Sequence, residues 1–80
     1  GYLAAVVAPE KLDEEVAKLT GKLLGHAPVT MAVTREMLRR LATDPTAEAE
    51  DLVRRCYGSE DFATGVRAFL DKSAPDWKGR

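Results

Sequence analysis

Residues 59–72 read SEDFATGVRAFLDK and decide how the chain folds at its end. Gly58 is suited to end a preceding helix and Ser59 to cap the next one, and two carboxylates follow in the first turn, where the helix dipole favours them. The run therefore predicts a helix that ends near Lys72. Its apolar face consists of Phe62, Val66, Phe69 and Leu70.

A glycine within this last helix and a tryptophan beyond it predict contacts with neighbouring elements. Gly65 stands in mid-helix, where glycine costs about 1 kcal/mol relative to alanine, which predicts a close approach by a neighbouring element. Residues 73–80 contain Pro75 and Gly79 and show no periodicity, so they form an irregular tail. We expect Trp77 to anchor that tail by covering apolar surface.

Three further helices are predicted upstream, over residues 11–24, 28–42 and 44–57. The first is one-sided, and Gly25 ends it. Pro28 opens the second. Asp44 is interpreted as the N-cap of the third, with Pro45 in its first turn.

The second helix is apolar on more than one side. Its apolar residues cover an arc of roughly 200°, which predicts a packing surface that lies outside these 80 residues. A central helix in a compact four-helix bundle is the alternative. The residues concerned are Val29, Met31, Val33, Met37, Leu38 and Leu41.

Residues 2–8 form a short apolar run closed by Pro9. The run fits a buried strand or an extended lead-in better than a helix, and a lone strand has no pairing partner in this chain. The predicted architecture is therefore all-α: four short helices in residues 10–72, an extended N-terminal lead-in of residues 1–9, and the irregular tail of residues 73–80.

Composition excludes several classes of protein. With 45% apolar residues, 31% charged residues and a net charge of -1, the chain is unlike a disordered protein and does not suggest a nucleic-acid partner. The sequence has no membrane-spanning run and no secretory signal, so we expect a cytoplasmic setting and no membrane contact.

The sequence does not predict a catalytic constellation, a metal site or a cofactor. Glu14 and Glu15 lie on a polar helix face in contact with solvent, which disfavours a paired-carboxylate acid/base site. His26 follows a helix end and is expected to satisfy its last carbonyls. Cys56 lies within the apolar stripe of the third helix and is interpreted as a small core residue.

The closing run resembles the end of the enoyl-CoA hydratase/isomerase (crotonase) family, S-x-D-x-x-E-G-x-x-A-F-x-x-K-R-x-P-x-[FW]-x-G-[RH]. The resemblance extends upstream: residues 1–9 are similar to G-L-V-x-x-V-V-P, the first helix to L-x-x-x-A-x-x-L-A, and residues 26–35 to A-P-x-A-x-x-x-T-K. Thr64 replaces the usual Glu, Ser73 the usual Arg, and Arg35 the usual Lys.

The resemblance implies that the chain is the C-terminal helical trimerisation region of a larger enzyme, inactive alone, which assembles subunits and caps the CoA site. The parent would be a trimer or hexamer that binds an acyl-CoA and stabilises an enolate-like charge in a backbone oxyanion hole. Hydration of a 2-trans-enoyl-CoA in fatty acid metabolism is the commonest reaction, and hydro-lyases and CoA-thioester isomerases share the scaffold.

Two residues carry the implied ligand contacts. Phe69 matches a Phe that contacts the adenine region of CoA, and Lys72 matches a Lys that reaches the nucleotide phosphates. Core packing of Phe69 and a helix-dipole role for Lys72 are the alternatives. A further alternative is a self-contained all-α interaction module without catalysis. Exposed apolar area is expected in either case, so we also expect self-association.

Overall fold

The computed structural model describes all 80 residues, and its regular structure is entirely helical. A 3₁₀ turn at Pro9–Lys11 leads into helix α1. The helices are α1 (Leu12–Leu24), α2 (Pro28–Thr43), α3 (Glu50–Tyr57) and α4 (Glu60–Leu70). This confirms the predicted all-α class with four short helices. Residues 1–8 form no strand and are exposed, so the extended lead-in describes them and the buried strand does not.

The start of α3 differs from the prediction by several residues. Asp44 does not cap this helix, which begins only at Glu50. The carboxylate of Asp44 instead accepts hydrogen bonds from the backbone N–H and the hydroxyl of Thr46, at 2.9 and 2.7 Å. These bonds lower the pKa of Asp44. A short polar side chain that bonds to the backbone two residues ahead forms a local turn, which competes with helix initiation.

The sequence predicted both ends of α4 to within two residues. At the start, the Ser59 hydroxyl accepts the Phe62 N–H at 3.0 Å, which confirms the predicted cap. At the other end the helix stops at Leu70, before Lys72. The Lys72 N–H donates to the carbonyl of Phe69, and the next N–H donates to the carbonyl of Ala68. This bond pair closes a Schellman turn, with Lys72 in the left-handed region at φ 52°.

The hydrophobic core is small and lies between α2 and α3. Its buried members are Val29, Val33 and Leu52, and Met37 and Cys56 pack against it partly buried. Cys56 therefore lies at the core, as its place in the stripe predicted. One ion pair also joins the same two helices: the guanidinium of Arg40 donates to both carboxylate oxygens of Asp51, at 2.7 and 2.6 Å.

Much of the apolar surface is uncovered. The chain exposes 6741 Å², whereas a compact protein of 8.7 kDa exposes about 4,700 Å². Its radius of gyration is 15.9 Å, against about 12 Å for a compact domain of this length. A flat molecule of 43 × 39 × 18 Å is not a compact bundle, so that alternative for α2 is wrong.

The uncovered surface includes the second side of α2. Leu38 remains 64% exposed although Val33, on the other side of the helix, is buried. Helix α1 buries no residue at all. The chain thus has two exposed apolar faces, one on α1 and one on α2, that no other part of these 80 residues covers. None of the helices is long and apolar enough to cross a membrane.

Candidate functional site

The irregular tail holds α4 through the single tryptophan. A Cβ on Gly65 would lie 3.1 and 3.3 Å from two atoms of the Trp77 ring, so only glycine lets the ring approach this closely. The indole N–H of Trp77 donates to the carbonyl of Gly25 at 2.9 Å. Trp77 therefore bridges α4 and the α1–α2 connection. Both the anchoring tryptophan and the close approach at Gly65 are confirmed.

A buried carboxylate holds the rest of the tail. Asp61 is only 1% exposed. Its side chain accepts the N–H of Lys78 at 2.6 Å and the N–H of Gly79 at 3.1 and 3.0 Å, and its own N–H donates to the carbonyl of Arg80. Gly79 has φ 75°, which glycine adopts without strain. We call Asp61, Gly65 and residues 77–80 the tail clasp.

The tail clasp was not predicted from the sequence. Asp61 was expected only as a first-turn acid that favours the helix dipole, which is the situation of its neighbour Glu60. Glu60 stays at the surface and accepts a hydrogen bond from Arg80 at 2.7 Å, which raises the pKa of that guanidinium. The closing motif itself was the sequence signal, because it contains both the aspartate at position 61 and the glycine at position 79 of the tail.

An apolar groove of about 340 Å³ runs along α4. Phe62, Val66 and Phe69 form one side of it, and Trp77 and Ala27 form the other. A larger open groove of about 700 Å³ lies along α2, with Met31, Arg35 and Leu38 along it. Trp77 and Ala27 line both the α4 groove and the α2 groove.

Phe69 lies at the α4 groove and is 83% exposed. The interpretation of Phe69 as a core residue is wrong within this chain. An exposed phenyl ring offers a planar apolar surface on which a heterocyclic base can stack. Contact of Phe69 with adenine stays a prediction.

Lys72 lies in the turn that directly follows α4. Its N–H donates to the carbonyl of Phe69 at 3.3 Å, which fixes the backbone of the two residues together. Its side chain is exposed and forms none of the ion pairs in the structure. An exposed ring and an unpaired ammonium group therefore lie at the same end of α4. This combination suits a ligand with an aromatic base and phosphates.

The remaining candidate residues are dispersed. His26 lies at the α2 groove, and its backbone N–H donates to the carbonyl of Leu23 at 3.1 Å, as expected for a residue after a helix end. The sulfur of Cys56 lies 3.6 Å from the hydroxyl of Thr30. The structure does not contain a group of three or more metal-ligating side chains. The exposed side chains around α4 are thus the candidate site.

Comparison with known proteins points to enzymes that act on CoA thioesters. The chain is 32% identical to carnitinyl-CoA dehydratase of Salmonella typhi over an alignment of 88 positions, which covers all of this chain and 34% of the relative. It is also 32% identical to methylmalonyl-CoA decarboxylase of Escherichia coli over 85 residues, covering 99% of this chain and 33% of the relative. The chain thus spans about a third of the length of these curated relatives. No family model matches it, and no solved structure matches it at a significant level.

Proposed function

We propose that the chain is the C-terminal assembly and CoA-capping segment of an enoyl-CoA hydratase/isomerase family enzyme, and that it is inactive alone. The observation that carries the proposal is similarity along the whole chain to two CoA-thioester enzymes whose names give different reactions. A region shared by a dehydratase and a decarboxylase would act on a feature that both enzymes share, and by their names both act on a CoA thioester. Reaction type would then depend on the other two thirds of the enzyme.

The parent reaction is proposed to be hydration of a 2-trans-enoyl-CoA. The dehydratase among the relatives supports this choice, because removal and addition of water are one reaction read in two directions. Phe69 and Lys72 would contact the adenine ring and the nucleotide phosphates at the end of α4. The exposed apolar faces of α1 and α2 would pack against the remainder of the enzyme and its subunits, in a trimer or hexamer.

Turnover of crotonyl-CoA tests the division of labour. The 80-residue chain should show none, the complete enzyme should hydrate the substrate, and the enzyme without this region should lose activity. Adding the chain in trans should restore part of it. Hydration by a pure sample of the 80-residue chain would refute the proposal, and so would full activity of the enzyme that lacks it.

The ligand contact is tested by Lys72→Ala in the complete enzyme. Losing a charge-assisted contact of about 1.5 kcal/mol should raise KM for the acyl-CoA roughly tenfold. Lys22→Ala is the matched control, because Lys22 lies in the last turn of α1, is exposed and has no ion pair. Equal effects of the two substitutions would show that Lys72 acts only on the helix dipole.

A self-contained interaction module is the second candidate, favoured by the exposed apolar face of α1. The two candidates predict different solution behaviour. A cooperative unfolding transition of a monomer, independent of protein concentration in denaturant melts and in sedimentation, would favour the module. Association alone would fit both candidates, because both expose apolar surface, whereas unfolding without a cooperative transition would favour the segment.

A further inference from the structure

We propose that Asp61 is a positioning residue for the CoA-nucleotide site. By binding the C-terminal tail it sets the direction of α4, and with it the positions of the Phe69 ring and the Lys72 ammonium group. The inference rests on the proposed function, which assigns CoA contact to Phe69 and Lys72. It adds a role for Asp61, which does not itself contact the ligand.

Helix α4 has few packing contacts of its own. Only Asp61 and Ala68 are buried among its eleven residues. Phe62 and Val66, which face the groove, remain exposed. A helix that buries so little apolar surface is not held in one orientation by a core. Its direction must depend on a small number of specific contacts.

The tail clasp supplies two such contacts, one helical turn apart. The first is Asp61, whose carboxylate accepts the backbone N–H groups of Lys78 and Gly79. The second is Gly65, against which the Trp77 ring lies. The indole N–H of Trp77 is hydrogen-bonded to the α1–α2 connection. Both contacts therefore fix the orientation of α4 relative to the rest of the chain.

Geometry converts a small change at the clasp into a large one at the ligand end. Phe69 lies eight residues beyond Asp61, which is about 12 Å at 1.5 Å per residue. A tilt of about 10° at the clasp would therefore move Phe69 by about 2 Å, and displacements of about 1 Å already impair binding or catalysis in well-fitted sites. The Lys72 backbone would move together with Phe69, because the Schellman turn bonds the Lys72 N–H to the Phe69 carbonyl.

The burial of Asp61 is what distinguishes positioning from simple helix capping. A first-turn acid that only favours the dipole can stay in water, as Glu60 does. A carboxylate that leaves water must have its lone pairs satisfied, and Asp61 meets this need with tail N–H groups alone. Oδ1 accepts both N–H groups, and Oδ2 accepts only that of Gly79. Asp61→Asn, with its NH2 group at the Oδ2 position, would place that group against the Gly79 N–H and weaken the hold on the tail.

The test compares two substrates in the complete enzyme. Asp61→Asn should raise KM for an acyl-CoA about tenfold, with kcat unchanged within about twofold. It should leave KM and kcat for the matching acyl-pantetheine thioester, which lacks the nucleotide, unchanged within about twofold. Trp77→Phe, which keeps a ring against Gly65 but loses the indole N–H, should act in the same direction more weakly. Asp13→Asn makes the same chemical change in the exposed first turn of α1 and should change nothing.

An equal rise in KM for both thioesters, or a loss of kcat with both, would show general structural damage and overturn the inference. An acyl-CoA KM that Asp61→Asn leaves unchanged would overturn it as well. A wild-type enzyme that turns over no CoA thioester would instead overturn the proposed function and remove the basis of the inference. A second measurement needs no turnover: the indole N–H resonance of Trp77, the only tryptophan, should shift in the 80-residue chain carrying Asp61→Asn. An unshifted resonance would disprove the coupling between Asp61 and the tail.

Discussion

Replacing Gly65 by alanine sets two physical effects against each other. Alanine should stabilise the interior of α4 by about 1 kcal/mol, because glycine carries that penalty in a helix. Against this, the new Cβ would lie 3.1 and 3.3 Å from two atoms of the Trp77 ring, whereas carbon atoms prefer 3.5–4.0 Å. The ring would have to move by about 0.5 Å, and its hydrogen bond to the Gly25 carbonyl resists that movement.

Overpacking of this kind costs about 1–3 kcal/mol, so the substitution should range from neutral to about 2 kcal/mol destabilising. Gly21→Ala in α1 is the matched control, because nothing lies within 4 Å of a Cβ at that position. It should gain the full helix preference. The assay is urea unfolding followed by far-UV circular dichroism, with all variants at one protein concentration.

A double-mutant cycle isolates the contact. In a Trp77→Ala background, Gly65→Ala should stabilise the chain by about 1 kcal/mol, since the ring that opposes the new methyl group is gone. The reasoning is refuted if Gly65→Ala stabilises the otherwise wild-type chain as much as Gly21→Ala does. It is also refuted if the effects of the Gly65 and Trp77 substitutions are additive.

Three further outcomes are expected. Hydrogen bonds from Arg39 and Arg40 lower the pKa of Glu36 to about 2 from 4.5, so their stabilising effect is complete above about pH 4.5 and is lost as the pH falls through about 2. The effect is small because Arg39 is exposed and the side chains of Glu36 and Arg40 remain partly in solvent. Glu36→Gln should flatten the acid titration of helicity in that window, and an unchanged profile would contradict this. Leu38→Lys should weaken self-association in sedimentation without lowering helicity, because this side chain is mostly exposed, and a folding defect would contradict it. Gly79→Ala should release the tail at a cost of about 1–2 kcal/mol, because φ there is 75°; tryptophan fluorescence that does not shift toward solvent exposure would count against it.

Local chemistry made the predictable parts of the fold predictable. The Ser59 cap depends on residues within a few positions of one another, and the glycine at position 65 marks a steric requirement whichever element meets it. The two-sided pattern of α2 likewise needs only helical periodicity, and it correctly indicated a face that these 80 residues leave uncovered.

The errors arose where distant residues decide between local alternatives. Asp44 suits both an N-cap and a polar turn, and the carbonyl of Glu48 accepts the Arg40 guanidinium at 3.1 Å, which helps hold the connection in a non-helical form. The site shows the same dependence. Nothing near Asp61 in the sequence indicates that its partners are Lys78 and Gly79, seventeen and eighteen residues ahead.

Helix α1 gives the strongest physical reason to regard the fold as incomplete within these residues. It has a one-sided apolar stripe, yet it buries no residue, and helices of thirteen residues are marginal in water without packing. The chain as a whole exposes about 2,000 Å² more than a compact protein of its mass, which is the scale of surface buried in stable protein interfaces. The exposed stripe on α1 is what the proposed packing against the remainder of the enzyme would cover. The tail clasp, by contrast, is satisfied entirely by residues of this chain, so contacts within the chain hold α4 whereas they leave the stripe on α1 uncovered.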